Sequence, residues 1–147
     1  MTIRDAQPDD LVALQAIFRR SSLSNERDRS SLLQNPDALE LPSRGTGDRV
    51  RIAAVAGQVK GFATTRDVGG ALELVDLFVD PSWMRRGTGR ALVADAAAHA
   101  IAGRRDRLEV TANPHALAFY EREGFVVDDE VDTRFGSAPR MRLIVAR

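Results

Sequence analysis

The stretch VDPSWMRRGTGRALV, residues 79–93, is the most informative part of this chain. An apolar run with the residue types of a β-strand leads into it, and an alanine-rich run with helical periodicity follows it. Between the two runs, Gly87 and Gly89 are separated by a single threonine and flanked by arginines. The stretch therefore predicts a glycine-containing turn that joins a strand to a helix.

Such a turn is suited to binding an anion. The first N–H groups of a helix have no partner within the helix, and the helix dipole adds partial positive charge at the same end. Glycines permit unusual backbone dihedral angles and let an oxygen atom approach closely. Arg85, Arg86 and Arg90 add full positive charges. The pattern predicts a pyrophosphate site, and the alternative is a tight turn that binds nothing.

Two common phosphate motifs are absent from this turn. No lysine followed by serine or threonine stands after Gly89, as the P-loop of nucleoside triphosphate enzymes requires. Three residues after Gly89 the chain has Leu92, where the dinucleotide-binding fingerprint has a glycine. The predicted anion site therefore belongs to neither class.

Composition limits the remaining possibilities. The 147 residues suit one domain, residues 1–147, and the formal net charge of zero argues against a protein that coats nucleic acid. The absence of cysteine excludes disulfides and thiolate nucleophiles. His99 and His115 are too few for a histidine metal site, so we expect no metal and place both at the surface or on helices. Without a signal-peptide pattern or a long apolar run, the protein is expected to be cytoplasmic, with no membrane partner.

The order of apolar and polar residues predicts a mixed α/β fold. The predicted strands cover residues 2–4, 50–56, 59–66, 71–79, 107–111, 125–131 and 141–145. Helices are predicted where Leu14 and Ile17 recur at helical spacing, near residues 28–39, after Gly89, and from Pro114 onward. The order favours a mostly antiparallel sheet of roughly six to seven strands with helices on both faces.

Two stretches together resemble the GNAT superfamily of N-acetyltransferases. The first, LELVDLFVDPSWMRRGTGRALV, is similar to the family motif Gln/Arg-x-x-Gly-x-Gly/Ala after an apolar strand, with Met84 at the first motif position. The second, LEVTANPHALAFYEREGF at residues 108–125, resembles the family's strand, asparagine and helix with an aromatic–tyrosine pair before Gly-Phe. The resemblance implies a GNAT-like acyl-CoA acyltransferase fold and acetyl-CoA as the cosubstrate.

The resemblance also implies which residues hold coenzyme A. The pyrophosphate would lie on the backbone of Arg85, Arg86, Gly87, Thr88, Gly89, Arg90 and Ala91. The pantetheine arm would pair with Leu77, Phe78 and Val79 as an added strand does. The Asn113 side chain would contact the same arm, or it caps the helix that begins at Pro114. Met84 cannot donate a hydrogen bond, which bears on the affinity for coenzyme A more than on the mode of binding.

Tyr120 and Glu73 are the catalytic residues that the resemblance implies. Tyr120 would act as the general acid that protonates the departing thiolate, and the alternative is a core tyrosine beside Phe119. Glu73 would act as the general base toward the substrate ammonium, and the alternative is an outward-facing glutamate. Asp76 is the rival base. In a regular strand Glu73 and Asp76 point to opposite faces, so both reach the substrate only if a bulge intervenes.

The predicted function is transfer of an acetyl group from acetyl-CoA to a primary amine by direct attack in a ternary complex. A coenzyme A-binding sensor without turnover and a non-catalytic structural domain are the alternatives. By resemblance the acceptor, a small-molecule or peptide amine, binds among residues 20–47 and about 128–140. The carboxylates there either attract a cationic amine or are ordinary surface; they are Glu26, Asp28, Asp129 and Glu130. The protein is expected to be a monomer or a homodimer.

Overall fold

The protein is built on one seven-stranded sheet with the strand order β1-β2-β3-β4-β5-β7-β6. The computed structural model describes residues 1–24, 26–41 and 47–145, without the side chains of Glu26 and Arg27. The strands are β1 (Thr2–Asp5), β2 (Arg49–Val55), β3 (Gln58–Asp67), β4 (Ala71–Val79), β5 (Arg107–Thr111), β6 (Val126–Thr133) and β7 (Gly136–Ile144). Only β4 and β5 run parallel; every other neighbouring pair is antiparallel. The predicted mixed, mostly antiparallel sheet is confirmed.

Helices cover both faces of this sheet, as predicted. They are α1 (Leu11–Leu23), α2 (Glu26–Gln34), α3 (Thr88–Ala102) and α4 (Leu117–Arg122). On one face, Leu92 of α3 packs in a core with Leu74 and Leu108 of the sheet. On the other face, Ile17 of α1 packs with Ile52 and Phe62. None of the described helices is long and apolar enough to cross a membrane.

The chain enters α1 through an acidic start, as the sequence suggests. The Asp10 carboxylate accepts a hydrogen bond from the Gln7 N–H at 2.7 Å and pairs with Arg4 at 2.8 Å. Leu14 and Ile17 then turn toward the sheet and are almost fully buried. These contacts hold the N-terminal end of α1 against β1.

Two element boundaries differ from the prediction by five residues. The helix predicted near residues 28–39 ends at Gln34 and is followed by a 3₁₀ turn at Pro36–Leu39, since a proline disfavours helix in the residue before it. The last strand begins at Gly136, five residues before the predicted start. Gly136, Ser137 and Pro139 have the composition of a loop, yet β6 pairs with this segment all the way to Gly136. Tertiary pairing here overrides local propensity.

Candidate active site

The glycine turn, residues 84–90, uses its two glycines for different purposes. Gly87 has a φ of 80°, in the left-handed region, and a Cβ there would face open space. A Cβ on Gly89 would lie 3.1 and 3.2 Å from two ring atoms of Phe119. Gly87 is therefore required by the backbone conformation, and Gly89 by the close packing of α3 against α4. The sequence analysis gave both glycines the same two roles, unusual dihedral angles and close approach of an oxygen atom, and it did not predict the contact of Gly89 with Phe119.

The N–H groups of the glycine turn are unpaired. Within the described residues, no oxygen accepts a hydrogen bond from the N–H groups of residues 85–90, and the first internal bond of α3 runs from the Ala91 N–H to the Gly87 carbonyl at 2.9 Å. Arg85 has a φ of 62°, so two left-handed residues bracket Arg86. Successive N–H groups in such a conformation form a concave anion site. Because Ala91 already donates to Gly87, its N–H lies outside the predicted cradle.

Side chains of the turn add positive charge without filling it. Arg85, Arg86 and Arg90 are exposed, with the Arg86 guanidinium 4.1 Å from the centroid of the Trp83 ring and Arg90 only 3.9 Å from a Glu123 oxygen. Met84 is 55% exposed. The turn thus presents unpaired donors and a surplus of cations, which is what a phosphate ester requires.

The Thr88 side chain is turned inward. It packs beside Gly61 of β3, and its hydroxyl is buried without a hydrogen-bond partner among the described residues. Thr88 therefore offers its N–H, and not its hydroxyl, to the outer surface of the turn.

A gap opens between β4 and β5 directly before this turn. The two strands pair only between Ala71–Glu73 and Arg107–Glu109. Beyond that point β4 continues to Val79 with β3 on one side, while β5 continues with β7 on its far side. Among the described residues, no strand pairs with the other side of residues 74–79. Leu77, Phe78 and Val79 thus lie on a free strand edge that leads into the unpaired donors.

A β-bulge at Val75 reorients the end of β4. Leu74 lies opposite Thr65 and Asp76 lies opposite the next residue, Thr64, so that Val75 is the extra residue. The bulge brings Glu73 and Asp76 to the same face of the sheet, the one on which α1 packs. The bulge that the sequence analysis required for Glu73 and Asp76 to face the same side is therefore present.

Glu73 is bound to an arginine from the far end of the chain. The two guanidinium nitrogens of Arg140 donate to its carboxylate oxygens at 2.7 and 2.5 Å. Arg140 also reaches Thr111 at 3.0 Å and Glu109 at 3.3 Å, and the hydrogen bond with Glu73 raises the pKa of the guanidinium. Glu73 is neither a lone carboxylate in an apolar strand nor a freely exposed one.

Tyr120 is buried in α4 beside the gap. It is 6% exposed and makes edge contacts with the rings of Phe119 and Phe125. Burial raises the pKa of its phenol well above the ordinary value, and the negative charge of Asp76 raises it further. The hydroxyl is therefore protonated at neutral pH and lies within the electrostatic reach of Asp76.

These features agree with a comparison to known families. A family model described as "Acetyltransferase (GNAT) domain" matches residues 35–140. The chain belongs to this GNAT family. The matched range contains the free edge of β4, the glycine turn and Tyr120.

Solved GNAT structures share the fold at low sequence identity. The PaiA N-acetyltransferase from Thermoplasma acidophilum, in complex with coenzyme A, has a TM-score of 0.75 at 20% identity, over 97% of this chain and 98% of its own. A ribosomal-protein-alanine N-acetyltransferase from Brucella melitensis has 0.71 at 22%, over 98% and 99%. Aminoglycoside 6'-acetyltransferase type Ii has 0.74 at 16%, over 100% and 99%. No curated protein sequence matches the chain.

Asn113 occupies the position predicted for it without capping the helix that follows. It is exposed, directly after β5, and its side chain makes no capping hydrogen bond to the 3₁₀ turn Pro114–Ala116.

Within the described residues, no group of three or more histidine, aspartate or glutamate side chains is arranged to hold a metal ion.

The carboxylates predicted for the acceptor region make different contacts. The Asp129 carboxylate accepts a hydrogen bond from the Glu130 N–H at 2.8 Å, and the Glu130 carboxylate accepts one from the Ser137 hydroxyl at 2.8 Å. The side chain of Glu26, residue 25 and residues 42–46 lie outside the described residues.

Two further contacts in this region escaped the sequence analysis. Asp28 lies 4.0 Å from His115, and Arg134 binds Asp37 and Asn35. These pairs join residues far apart in the chain, and no motif or spacing signals them.

Proposed function

We propose that this GNAT protein transfers an acetyl group from acetyl-CoA to a primary amine. One observation carries the proposal: the free edge of β4 runs directly into the unpaired N–H groups of residues 85–90. Few ligands combine an extended amide-containing chain with a pyrophosphate, and coenzyme A is one. Acetyl-CoA supplies an activated acyl thioester on that chain.

The backbone carries most of the proposed coenzyme A binding. The N–H groups of residues 85–90 would hold the pyrophosphate, with Arg85 and Arg90 neutralising its charge. The main chain of Leu77, Phe78 and Val79 would pair with the amides of the pantetheine arm, and Asn113 would contact it from the β5 side. The exposed Met84 removes one donor from this set, and the backbone donors remain.

Tyr120 is the proposed general acid. A phenol at the gap donates its proton to the departing sulfur, and its raised pKa keeps that proton in place until negative charge develops there. Main-chain N–H groups near residues 77–79 would stabilise the negative charge that develops on the carbonyl oxygen.

Asp76 is the base that the contacts favour. A base must act near the same carbonyl as the acid, and Asp76 is the carboxylate whose charge reaches Tyr120. It is 7% exposed and faces the side of the sheet on which α1 packs. Glu73, which the sequence favoured, has both oxygens engaged by Arg140. We propose that Glu73 neutralises Arg140 on this face of the sheet. Asp76 would receive the proton of the substrate ammonium, directly or through water.

The proposal is tested first by calorimetric titration with acetyl-CoA, coenzyme A and ATP. We expect micromolar binding of both coenzyme A species and at least tenfold weaker binding of ATP, a difference of about 1.4 kcal/mol. Release of the coenzyme A thiol is then measured with a panel of amines. Binding without thiol release for every amine would identify a coenzyme A-binding domain without turnover. No binding at millimolar ligand would refute the assignment of the glycine turn.

A further inference from the structure

The only lysine of the chain, Lys60, lies in a β-bulge of β3. Its neighbours Val59 and Gly61 pair with consecutive residues of β2, so that Lys60 is the extra residue between them. A bulge of this kind turns a side chain away from the direction that a regular strand would give it. The Lys60 ammonium lies 4.9 Å from the centroid of the Trp83 ring, directly before the glycine turn. The bulge therefore accompanies the placement of a cation from β3 beside that turn.

A second cation lies over the same ring. The Arg86 guanidinium is 4.1 Å from the centroid of the Trp83 ring. The attraction between a cation and the face of an aromatic ring favours both positions. At the same time, two positive charges that share one ring repel each other. An anion that contacts both Lys60 and Arg86 would remove this repulsion, so the pair is suited to binding one.

The backbone that carries Trp83 is held on two sides. The Asp80 carboxylate accepts hydrogen bonds from the Ser82 N–H at 3.1 Å and from the Ser82 hydroxyl at 2.9 Å, and it pairs with Arg20 of α1 at 2.7 Å. The Trp83 N–H donates to the Asp80 carbonyl at 2.8 Å, and the Asp80 N–H donates to the Lys60 carbonyl at 2.8 Å. The ring is thus a fixed support, tied to α1 through Asp80 and to β3 through Lys60.

Neither cation is neutralised by a carboxylate among the described residues. No ion pair or side-chain hydrogen bond within that part of the chain involves Lys60 or Arg86, whereas Arg90 lies 3.9 Å from a Glu123 oxygen. In the proposed binding of coenzyme A, the N–H groups of residues 85–90 hold the pyrophosphate, with Arg85 and Arg90 beside it. That arrangement leaves the charges of Lys60 and Arg86 unused.

We propose that Lys60 and Arg86, supported by the Trp83 ring, bind a phosphate monoester, the 3′-phosphate of coenzyme A. This inference rests on the proposed function. The ribose that carries this phosphate is joined to the pyrophosphate through a single methylene group, and Arg86 belongs to the segment proposed to hold the pyrophosphate. A phosphate monoester carries nearly two negative charges at neutral pH, and each cation adds a charge-assisted hydrogen bond to it. The pair thus selects coenzyme A over dephospho-coenzyme A, which lacks only the 3′-phosphate.

The test is calorimetric titration of the whole protein with coenzyme A and with dephospho-coenzyme A. We expect the wild type to bind coenzyme A at least about tenfold more tightly. Lys60→Gln and Arg86→Gln should each lower this preference about three- to tenfold, because each weakens the binding of coenzyme A more than that of dephospho-coenzyme A. High salt should also lower the wild-type preference, since both cations are open to water.

The support that Trp83 gives is tested by two substitutions of its ring. Trp83→Phe keeps an aromatic face and should preserve most of the preference, whereas Trp83→Leu should lower it about threefold or more. Adding Lys60→Gln to Trp83→Leu should then cost less than Lys60→Gln costs alone. Trp83 is the only tryptophan of the chain, so its fluorescence should respond to coenzyme A more strongly than to dephospho-coenzyme A.

Arg104→Gln is the matched control. Arg104 lies just after α3, at the end of that helix opposite to the glycine turn, and is exposed. Among the described residues its side chain has no hydrogen-bond or ion-pair partner, so the variant removes one positive charge as Lys60→Gln and Arg86→Gln do. Its preference for coenzyme A should equal that of the wild type.

Two results would overturn the proposal. Equal affinities of the wild type for the two ligands would refute the phosphate monoester site, and so would an unchanged preference in both Lys60→Gln and Arg86→Gln. Both results leave the proposed function intact, since the two ligands share the pyrophosphate and the pantetheine arm. Failure of both ligands to bind would instead refute the assignment of the glycine turn, and the phosphate monoester site with it.

Discussion

The glycine turn and the acceptor face, which is the side of the sheet on which Glu73, Asp76, Glu109 and Arg140 lie, are built in opposite ways. The turn places its donors in the backbone of consecutive residues, 85–90. The acceptor face consists of side chains brought together over long separations, since Glu73 and Arg140 are 67 positions apart in the sequence. The glycine turn can be recognised in a short stretch of sequence. The acceptor face forms only when the strands of the sheet have paired.

This difference has a consequence for substitution. Backbone donors survive side-chain changes that preserve the turn, which is why Met84 at the first motif position leaves them unpaired and available. The acceptor face depends on each individual side chain. Coenzyme A binding should therefore tolerate most substitutions, and acceptor handling should tolerate few.

The largest expected effect separates catalysis from binding at Tyr120. Tyr120→Phe keeps the ring and its contacts with Phe119 and Phe125 but removes the acidic proton. We expect turnover to fall about 10²- to 10⁴-fold while the affinity for acetyl-CoA stays within about twofold. Steady-state kinetics and calorimetry on the same preparation measure both. Unchanged turnover would remove Tyr120 from the proposed mechanism.

Two carboxylate variants test which residue of the acceptor face, Asp76 or Glu73, is the general base. If Asp76 receives the ammonium proton, Asp76→Asn should lower kcat/KM about 10²-fold or more. Glu73→Gln leaves Arg140 less well neutralised and should cost less than about tenfold. The reverse order of the two effects would return the role of base to Glu73. Thermal unfolding of both variants checks that the sheet is intact.

Substitutions of the two glycines should differ because their surroundings differ. Gly89→Val forces side-chain atoms onto the Phe119 ring, for which we expect a destabilisation of about 1–3 kcal/mol and at least tenfold weaker acetyl-CoA binding. Gly87→Ala meets open space and should cost about 1 kcal/mol through its left-handed backbone alone. Urea unfolding measures both.

A second substitution identifies the cause of the Gly89 effect. Phe119→Ala in the Gly89→Val background removes the ring that the new side chain meets, so the double variant should lose less stability than the two single changes together. Simple additivity of the two losses would show that the strain lies elsewhere than in the contact with Phe119.

The same contrast explains what the sequence predicts and what it does not. Strand and helix order follows from local patterns, and the glycine turn and Tyr120 follow from motifs within about 50 residues of each other. The bulge at Val75 has no signal of its own, because it depends on how β3 pairs with β4. Arg134 and Asp37, 97 residues apart, are ordinary surface residues in the sequence. Long-range side-chain pairing carries no periodicity to detect.

The smallest expected effect concerns the contact of His115 with Asp28 of α2. Burial lowers the pKa of His115 in the folded protein, with the Asp28 carboxylate opposing, whereas the unfolded side chain titrates near about 6.5. Below that pH the unfolded state binds more protons, so stability should fall as the pH drops from about 7.5 to about 5. His115→Gln should remove its part of this loss and leave stability at about pH 7.5 nearly unchanged.

His99 provides the matched control for this prediction. Burial lowers its pKa as well, but it lies on α3, across the sheet from α2. His99→Gln should also flatten the pH dependence in urea unfolding, while leaving amide hydrogen exchange in α2 unaltered. In the wild type, exchange in α2 should accelerate as the pH falls, once corrected for the intrinsic rate, and His115→Gln should abolish that acceleration. If both variants left it unchanged, α2 and the 3₁₀ turn after it would be held without His115, through the Arg134 contacts with Asp37 and Asn35, since that ion pair stays charged over this pH range.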